Sequence, residues 1–306
     1  MPHIIVPLDG SDLADRALPL AASLAKVTGS KLKLLQAAVS PASLDVGMAV
    51  EMILEAARGD LANKRAEVDR DYGLRAETRA ALDFPDRLIL EEAAAPGAIA
   101  IVMSTHGRTG LLRLARGSVA ESVLRQSPIP VYLVPSAAGG PLEHPTIRHI
   151  LVPLDGSDLA YTVTAPVMEL ALQCSAEVTL FRVFDDEEGP KRGSRHAFIE
   201  SISGAPDYFG PIKARLGSRG VVVNSKTSFG IPATHILAAA KRLHVDLIAL
   251  ATHGRSGLSR MRHGSVAEAV LRHSTRPIMT FGPEAIRQLA GTVSADDAKS
   301  PRPMMV

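Results

Sequence analysis

Two blocks of this chain each occur twice, and that repetition limits what it can fold into more than any other feature. His3–Ala14 (HIIVPLDGSDLA) matches His149–Ala160 (HILVPLDGSDLA) at 11 of 12 positions. Ser104–Ser127 (STHGRTGLLRLARGSVAESVLRQS) matches Ala251–Ser274 (ATHGRSGLSRMRHGSVAEAVLRHS) at 16 of 24 positions without a gap. The first pair is offset by 146 residues and the second, taking Gly107 to Gly254, by 147, so the copies differ by one net residue between the blocks. A period this long is a duplicated domain rather than a short-repeat solenoid. The 306 residues suit two domains. The expected boundaries are 1–138 and 147–283, joined by the Gly- and Pro-containing linker Ser136–Thr146 and followed by a flexible tail, 284–306.

Within each copy, apolar runs alternate with helix-like segments. Strands are predicted at Ile4–Leu8, Leu32–Ala37, Glu77–Leu82, Ala98–Met103 and Val131–Val134. Helices are predicted at Ser11–Thr28, about Val50–Asp71, Asp86–Ala94 and Val119–Gln126. The second copy repeats the strands near Ile150–Leu154, Val178–Val183, Val221–Thr227, Leu247–Leu250 and Ile278–Phe281. This alternation predicts an α/β fold, a parallel sheet covered on both faces and doubly wound by right-handed crossovers. Pro7 and Pro153 sit late in the first strand of each copy, where a missing N–H should mark a bulge or the strand's end. Asp185–Ser194 and Thr292–Val306 read as mobile, solvated segments.

Composition narrows the function classes. The 34 basic and 32 acidic residues leave a net charge of +2, which gives no electrostatic case for nucleic acid or membrane as a partner. There is no Trp, and only seven Phe and four Tyr, so stacking platforms for single strands are not expected. Cys174 is the one cysteine. It excludes an internal disulfide, fits a reducing compartment, and reads as a packed, inert thiol. The start MPHIIVPLDGSD has no basic n-region, so it does not read as a signal peptide. No run reaches the ~18–20 apolar residues of a membrane span. The expectation is a soluble, cytoplasmic protein.

The residues that could carry chemistry lie in the repeated blocks. Gly107 and Gly117, like Gly254 and Gly264, bracket nine residues between a strand and a helix start. Glycines there let backbone N–H groups approach a phosphate. Ser118 with Glu121, and Ser265 with Glu268, also spell a capping box, which needs no ligand. Asp9-Gly10-Ser11 and Asp155-Gly156-Ser157 follow the first strand of each copy. A carboxylate there suits a ribose hydroxyl or a metal-bound water, and the same tripeptide is ordinary turn and N-cap chemistry. Arg108, Arg113 and Arg116, with Arg255, Arg260 and Arg262, either neutralise phosphate or form solvated surface. His106 and His253 read as loop-packing residues, since no second ligand stands at metal spacing. No P-loop, no G-x-G-x-x-G and no assembled Ser–His–Asp set is present, and no general acid/base pair stands out.

With both blocks in place, the chain resembles a tandem universal stress protein over nearly all of Pro2–Pro283. The family's nucleotide-binding pattern is Gly, two residues, Gly, nine residues, Gly, then Ser or Thr. Here it reads Ser104-Thr-His-Gly107, nine residues, Gly117-Ser118, and then Ala251-Thr-His-Gly254, nine residues, Gly264-Ser265. The first glycine is replaced by Ser104 or Ala251, small enough for close approach of a phosphate but strained at positive φ. The resemblance implies two Rossmann-like (adenine nucleotide alpha hydrolase-like) three-layer sandwiches, each with a five-stranded parallel sheet. It implies ATP across the strand ends, with Asp9 and Asp155 at the ribose beside Pro7 and Pro153, and the backbone of Ala37 and Val183 reading adenine. Ser104, Gly107, Arg108, Gly117, Ser118 and Val119 would surround the phosphates in the first copy. Ala251, Gly254, Arg255, Gly264, Ser265 and Val266 would do so in the second. It further implies Mg2+ carried on the phosphates, pairing of the two copies through their last strands, and a second pairing between chains as a homodimer. The second copy keeps the family's Gly230-Ile-Pro232, whereas the first has Asp83-Phe-Pro85.

The function expected from the sequence is a nucleotide-dependent sensor or regulator with little or no turnover, read by a protein partner when ATP orders its loops. The rival from a different class is an interaction scaffold with empty sites, favoured by the missing first glycine. A third is a slow ATP-hydrolysing enzyme, for which the crevice supplies no further lysine or acid.

Overall fold

The computed structural model describes residues 1–38, 48–104, 119–135, 145–157, 161–184, 209–252 and 265–296. The chain divides into two compact units, Met1–Pro145 and Thr146–Val306. The first contains β1 (His3–Leu8), α1 (Asp12–Asp15), α2 (Leu18–Thr28), β2 (Lys31–Ala38), α3 (Met48–Tyr72), β3 (Ala76–Leu82), α4 (Pro85–Ala93), β4 (Ala98–Ser104), α5 (Val119–Gln126) and β5 (Val131–Val134). The second contains β6 (His149–Pro153), α6 (Thr164–Cys174), β7 (Glu177–Phe184), α7 (Gly210–Ser218), β8 (Val223–Phe229), α8 (Pro232–Arg242), β9 (Leu247–Ala251), α9 (Ser265–His273), β10 (Ile278–Phe281) and α10 (Pro283–Asp296).

In the first unit the strands lie in the order β3-β2-β1-β4-β5, and in the second β8-β7-β6-β9-β10. Every pairing described within a unit is parallel. β1 lies in the middle, and Ile4, Ile5 and Val6 are all buried in succession. Consecutive burial means that both faces of the sheet are covered, as in other parallel sheets. Side chains of β2 show the two faces directly. Gln36 reaches Asp60 on α3, while Lys33 reaches Glu92 on α4. Residues of odd and even number point to opposite sides of a strand, so α3 and α4 cover opposite faces.

The single helix expected over Ser11–Thr28 is two. α1 ends at Asp15 and α2 starts at Leu18, with Pro19 in its first turn. Pro19 has no N–H for the Asp15 carbonyl, and its ring crowds that carbonyl, so the helix restarts there. Gly29 ends α2 in the left-handed region at φ 62°, its N–H donating to Ala25 O. At the matching place in the second unit, Ser175 ends α6 at φ 52°. Part of the expected tail is also ordered differently. Pro283–Asp296 form α10, and its Ala285 and Ile286 are buried. The sequence P-E-A-I supplies proline for the first turn and an apolar pair for the core, which composition alone conceals. The segments 185–194 and 297–306 lie outside the described residues.

Candidate functional site

A doubly wound sheet opens a crevice at the carboxyl ends of two adjacent strands whose connections leave in opposite directions. The strand order puts that point between β1 and β4 in the first unit, and between β6 and β9 in the second. The ladders show the opening. β1 pairs with β4 at His3, Ile4 and Ile5, although β1 runs to Leu8 and β4 to Ser104. β6 pairs with β9 at Ile150 and Leu151, although the strands run to Pro153 and Ala251. Pro7 and Pro153 stand just past these last pairs. Their missing N–H removes nothing from a ladder that has already ended on that side. On the other side they remain in register with Leu35 and Phe181. Pro153 is the end of its strand, as expected. Pro7 marks neither a bulge nor the end, because the irregularity in β1 falls between His3 and Ile4; it marks where β1 parts from β4.

The acidic turns sit at this parting in both units. Ser11 donates its N–H to Asp9 Oδ1 at 3.0 Å, and its hydroxyl donates to the same oxygen. Ser157 does likewise with Asp155 Oδ1, at 2.9 Å from the N–H and 2.6 Å from the hydroxyl. Gly10 and Gly156 make the turns possible at φ 74° and 88°. Ser11 Oγ also accepts from Ala14 N–H at 3.2 Å and caps α1. Ser11 thus caps the helix, and its bonds to the half-buried Asp9 carboxylate fix that group's orientation at the crevice.

The other expected site residues distribute along the same edge. Ala37 and Val183 lie next to last in β2 and β7, half-buried, one and two residues past the last partners of β1 and β6. Ser104 and Ala251 are the last residues of β4 and β9, and Ser104 is buried. Val119 opens α5; Ser265 and Val266 open α9. Glu268 of that first turn takes Arg272 one turn on at 2.8 Å. Gly107, Arg108, Gly117 and Ser118, with Gly254, Arg255 and Gly264, lie outside the described residues, as do His106 and His253. Among the described residues, no group of three or more His, Cys, Asp or Glu is placed to hold a metal ion. Cys174 is half-buried, and burial pushes its thiol up to about 11, so it stays protonated and inert. No helix among the described residues is long and apolar enough to cross a membrane.

Two side-chain clusters were not foreseen. Glu92 on α4 is buried at 2% exposure, bonded by Lys33 Nζ and, at 3.1 Å, by Arg79 Nη1, with His3 Nε2 3.4 Å away. Burial works against its charge, yet the bonds from Lys33 and Arg79 outweigh it and hold the carboxyl below the ordinary range. At the matching place the second unit buries Ala239, and His149 bonds Thr179 Oγ1 instead, at 2.8 Å. The second cluster joins β8 to α8, with Ser228 Oγ and His235 Nδ1 2.6 Å apart. Its sequence signal was a histidine one turn after Gly230-Ile-Pro232, which alone is not distinctive.

The fold and the edge geometry define a tandem of doubly wound parallel α/β domains, each with an acidic Asp-Gly-Ser turn at its switch point. The model of the universal stress protein family matches residues 1–135 and 146–281. The chain belongs to that family. A universal stress protein of Methanocaldococcus jannaschii is 29% identical over 136 residues, covering 43% of this chain and 80% of the relative. One from Mycolicibacterium smegmatis is 23% identical over 300 residues, covering 92% of this chain and 97% of the relative. Among solved structures, a universal stress protein from Archaeoglobus fulgidus superposes with a TM-score of 0.67 at 20% identity, over 92% of this chain and 96% of its own. A putative universal stress protein from Pseudomonas aeruginosa gives 0.65 at 22%, over 96% and 98%. At these identities the structures speak for the fold.

Proposed function

We propose that each unit binds an adenine nucleotide, ATP with Mg2+ on its phosphates, and that the chain is a cytoplasmic nucleotide-dependent regulator with little or no turnover. The observation that carries this reading is the Asp-Gly-Ser turn held in the same way at both switch points. An ionised carboxylate accepts hydrogen bonds and donates none, which matches a ribose diol. The helices α5 and α9 begin at the same edge, where backbone N–H groups and the helix dipole favour phosphate. Family membership supports the same assignment. Among the described residues at the edge no acid, base and nucleophile are assembled, and the output in this reading is the ordering of loops by ATP rather than its hydrolysis. A regulatory protein would read that ordered surface.

The test is to purify the chain, denature it and chromatograph the released small molecules on an ion exchanger. One or two adenine nucleotides per chain is the expected result. No nucleotide released, together with no rise in melting temperature on adding millimolar Mg-ATP, would overturn the reading in favour of an empty scaffold. Rapid, metal-dependent hydrolysis that vanishes in the Asp9→Ala/Asp155→Ala double variant would show an enzyme instead.

A further inference from the structure

The outer strands of the two units occupy the same place in their sheets and carry opposite charge. β3 pairs with β2 and β8 with β7, and each ends the strand order of its unit. Each leads through a short turn into the next helix, α4 or α8. Ala76–Ala93, from β3 to the end of α4, holds five acids against Arg79 and Arg87, a balance of −3, or −2 without the buried Glu92. Val223–Arg242, from β8 to the end of α8, holds Lys226, Lys241 and Arg242 and no acid, a balance of +3 with His235 neutral. All three bases are exposed, and none belongs to an ion pair among the described residues.

Apolar side chains mark the same edges. Phe84 and Ile231 stand at the N-caps of α4 and α8, each before a proline, and neither side chain caps its helix. A serine or aspartate there would bond an orphan N–H and steady the helix by about 1 kcal/mol. Ile231 is 69% exposed, and Phe84 is 62% exposed even with the Arg87 guanidinium 5.8 Å from its ring centre. Leu82, last in β3, is 47% exposed.

An outer strand offers backbone N–H and C=O groups to any strand that can approach, and charge on it keeps like edges apart. Two β3 edges repel, and so do two β8 edges, whereas a β3 edge and a β8 edge attract. We propose that the chain associates with a second copy of itself head to tail, the β3–α4 edge of one copy taking the β8–α8 edge of the other. An antiparallel approach with Glu77 opposite Lys226 overlaps Ala76–Ala80 with Val223–Thr227. Arg79 then stands opposite Asn224, and no like charges face each other. The ion pair of Glu77 with Lys31, at 2.8 Å, is solvent-exposed and holds Glu77 weakly. Glu77 lies on the side of β3 that faces α4, since Arg79, two residues on, bonds Glu91 and Glu92 there. Lys226 lies on the side of β8 that faces α8, since Ser228, two residues on, bonds His235 there. The joined sheet therefore keeps both helices on one face. A contact between two different surfaces closes into a ring or runs on as a fibre, according to the rotation between copies.

Sedimentation velocity of the full chain over a concentration series, in ~0.02 M and ~0.5 M salt, tests this. In low salt the mean sedimentation coefficient should climb with concentration, and in high salt the climb should shrink. Glu77→Lys alone and Lys226→Glu alone should each weaken association about tenfold or more, since each brings like charges together. An equal mixture of the two variants should recover it, because each then offers the other an edge of opposite charge. Misfolding cannot mimic that recovery. No association in low salt, association unmoved by salt or by either variant, or a mixture no better than its components would overturn the inference.

Discussion

Gly29 and Ser175 are the same position in two copies, and they separate backbone cost from packing. Both end a helix in the left-handed region, at φ 62° and 52°. A Cβ added at Gly29 would meet nothing within 4 Å, so Gly29→Ala should cost only the backbone term, about 1 kcal/mol. Ser175→Gly should gain about 0.5–1 kcal/mol, because the serine already bears that strain. Urea denaturation of both variants checks the pair, and effects of the same sign would contradict it. Glu92 makes a larger claim. Its carboxyl is held below the ordinary range, so its contribution is present above the unfolded value, near pH ~4.3, and is lost as pH falls through the folded value. Glu92→Gln should lower stability near neutral pH by about 2 kcal/mol, since Lys33 keeps its charge and loses its carboxylate partner, while Arg79 keeps only Glu91. The variant's acid unfolding should also be less steep below pH ~4.3. An unchanged acid limb in the variant would remove Glu92 from the account. Nothing in the run E-E-A-A-A announces this residue. Its partners stand on three different strands, so the network exists only once β1, β2 and β3 are side by side.

The element scale was the most legible. Strands buried on both faces write themselves as apolar runs, and β5 and β10 fall at the expected residues. β3 was faint because it is the outer strand of its unit, with only Ala76 of its seven residues buried. The break between α1 and α2 was readable from Pro19, whose effect on the Asp15 carbonyl is local, yet the apolar periodicity runs straight through it. The ends of β1 and β6 needed the ladders, because a proline signals only a missing donor and not which neighbour has left. The turn from β8 to α8 gives a prediction of its own. Gly230 combines φ 126° with the His235 ring at 2.7 Å from a would-be Cβ. Gly230→Ala should therefore destabilise by about 2–3 kcal/mol, more than Gly29→Ala. In a His235→Ala background the cost should fall, leaving the backbone share. Additive effects in that double-mutant cycle would mean the ring yields freely.

At the scale of the whole molecule, the repeat was plain in the sequence while the divergence inside it was not. The acidic turns are alike in both units, but one unit buries an ion cluster and the other an alanine, and Phe184 stacks on Phe229 in one where Ala38 pairs with Leu82 in the other. Of the candidate site, the Asp-Gly-Ser turns and the strand ends were legible because each is local. The glycine-spaced loops, 105–118 and 253–264, lie outside the described residues. If both sites bind, Mg-ATP at 100 times Kd should add about 2.7 kcal/mol per site to stability. Differential scanning calorimetry should show the rise in unaltered protein and its loss in Asp9→Ala/Asp155→Ala. An equal rise in that double variant would place the nucleotide elsewhere.

The Glu92 cluster also bears on how such a duplicated gene can exchange parts. The stretches that match between the copies are His3–Ala14 with His149–Ala160, and Ser104–Ser127 with Ala251–Ser274. Lys33, Arg79 and Glu92 all fall between the first member of each pair. Crossovers in these stretches would carry the three charges as one cassette. The fourth member, His3, is histidine in the other copy as well, at His149. Gene conversion confined to the matching stretches would renew the acidic turns and the glycine-spaced loops of both copies without ever splitting the buried charges from one another.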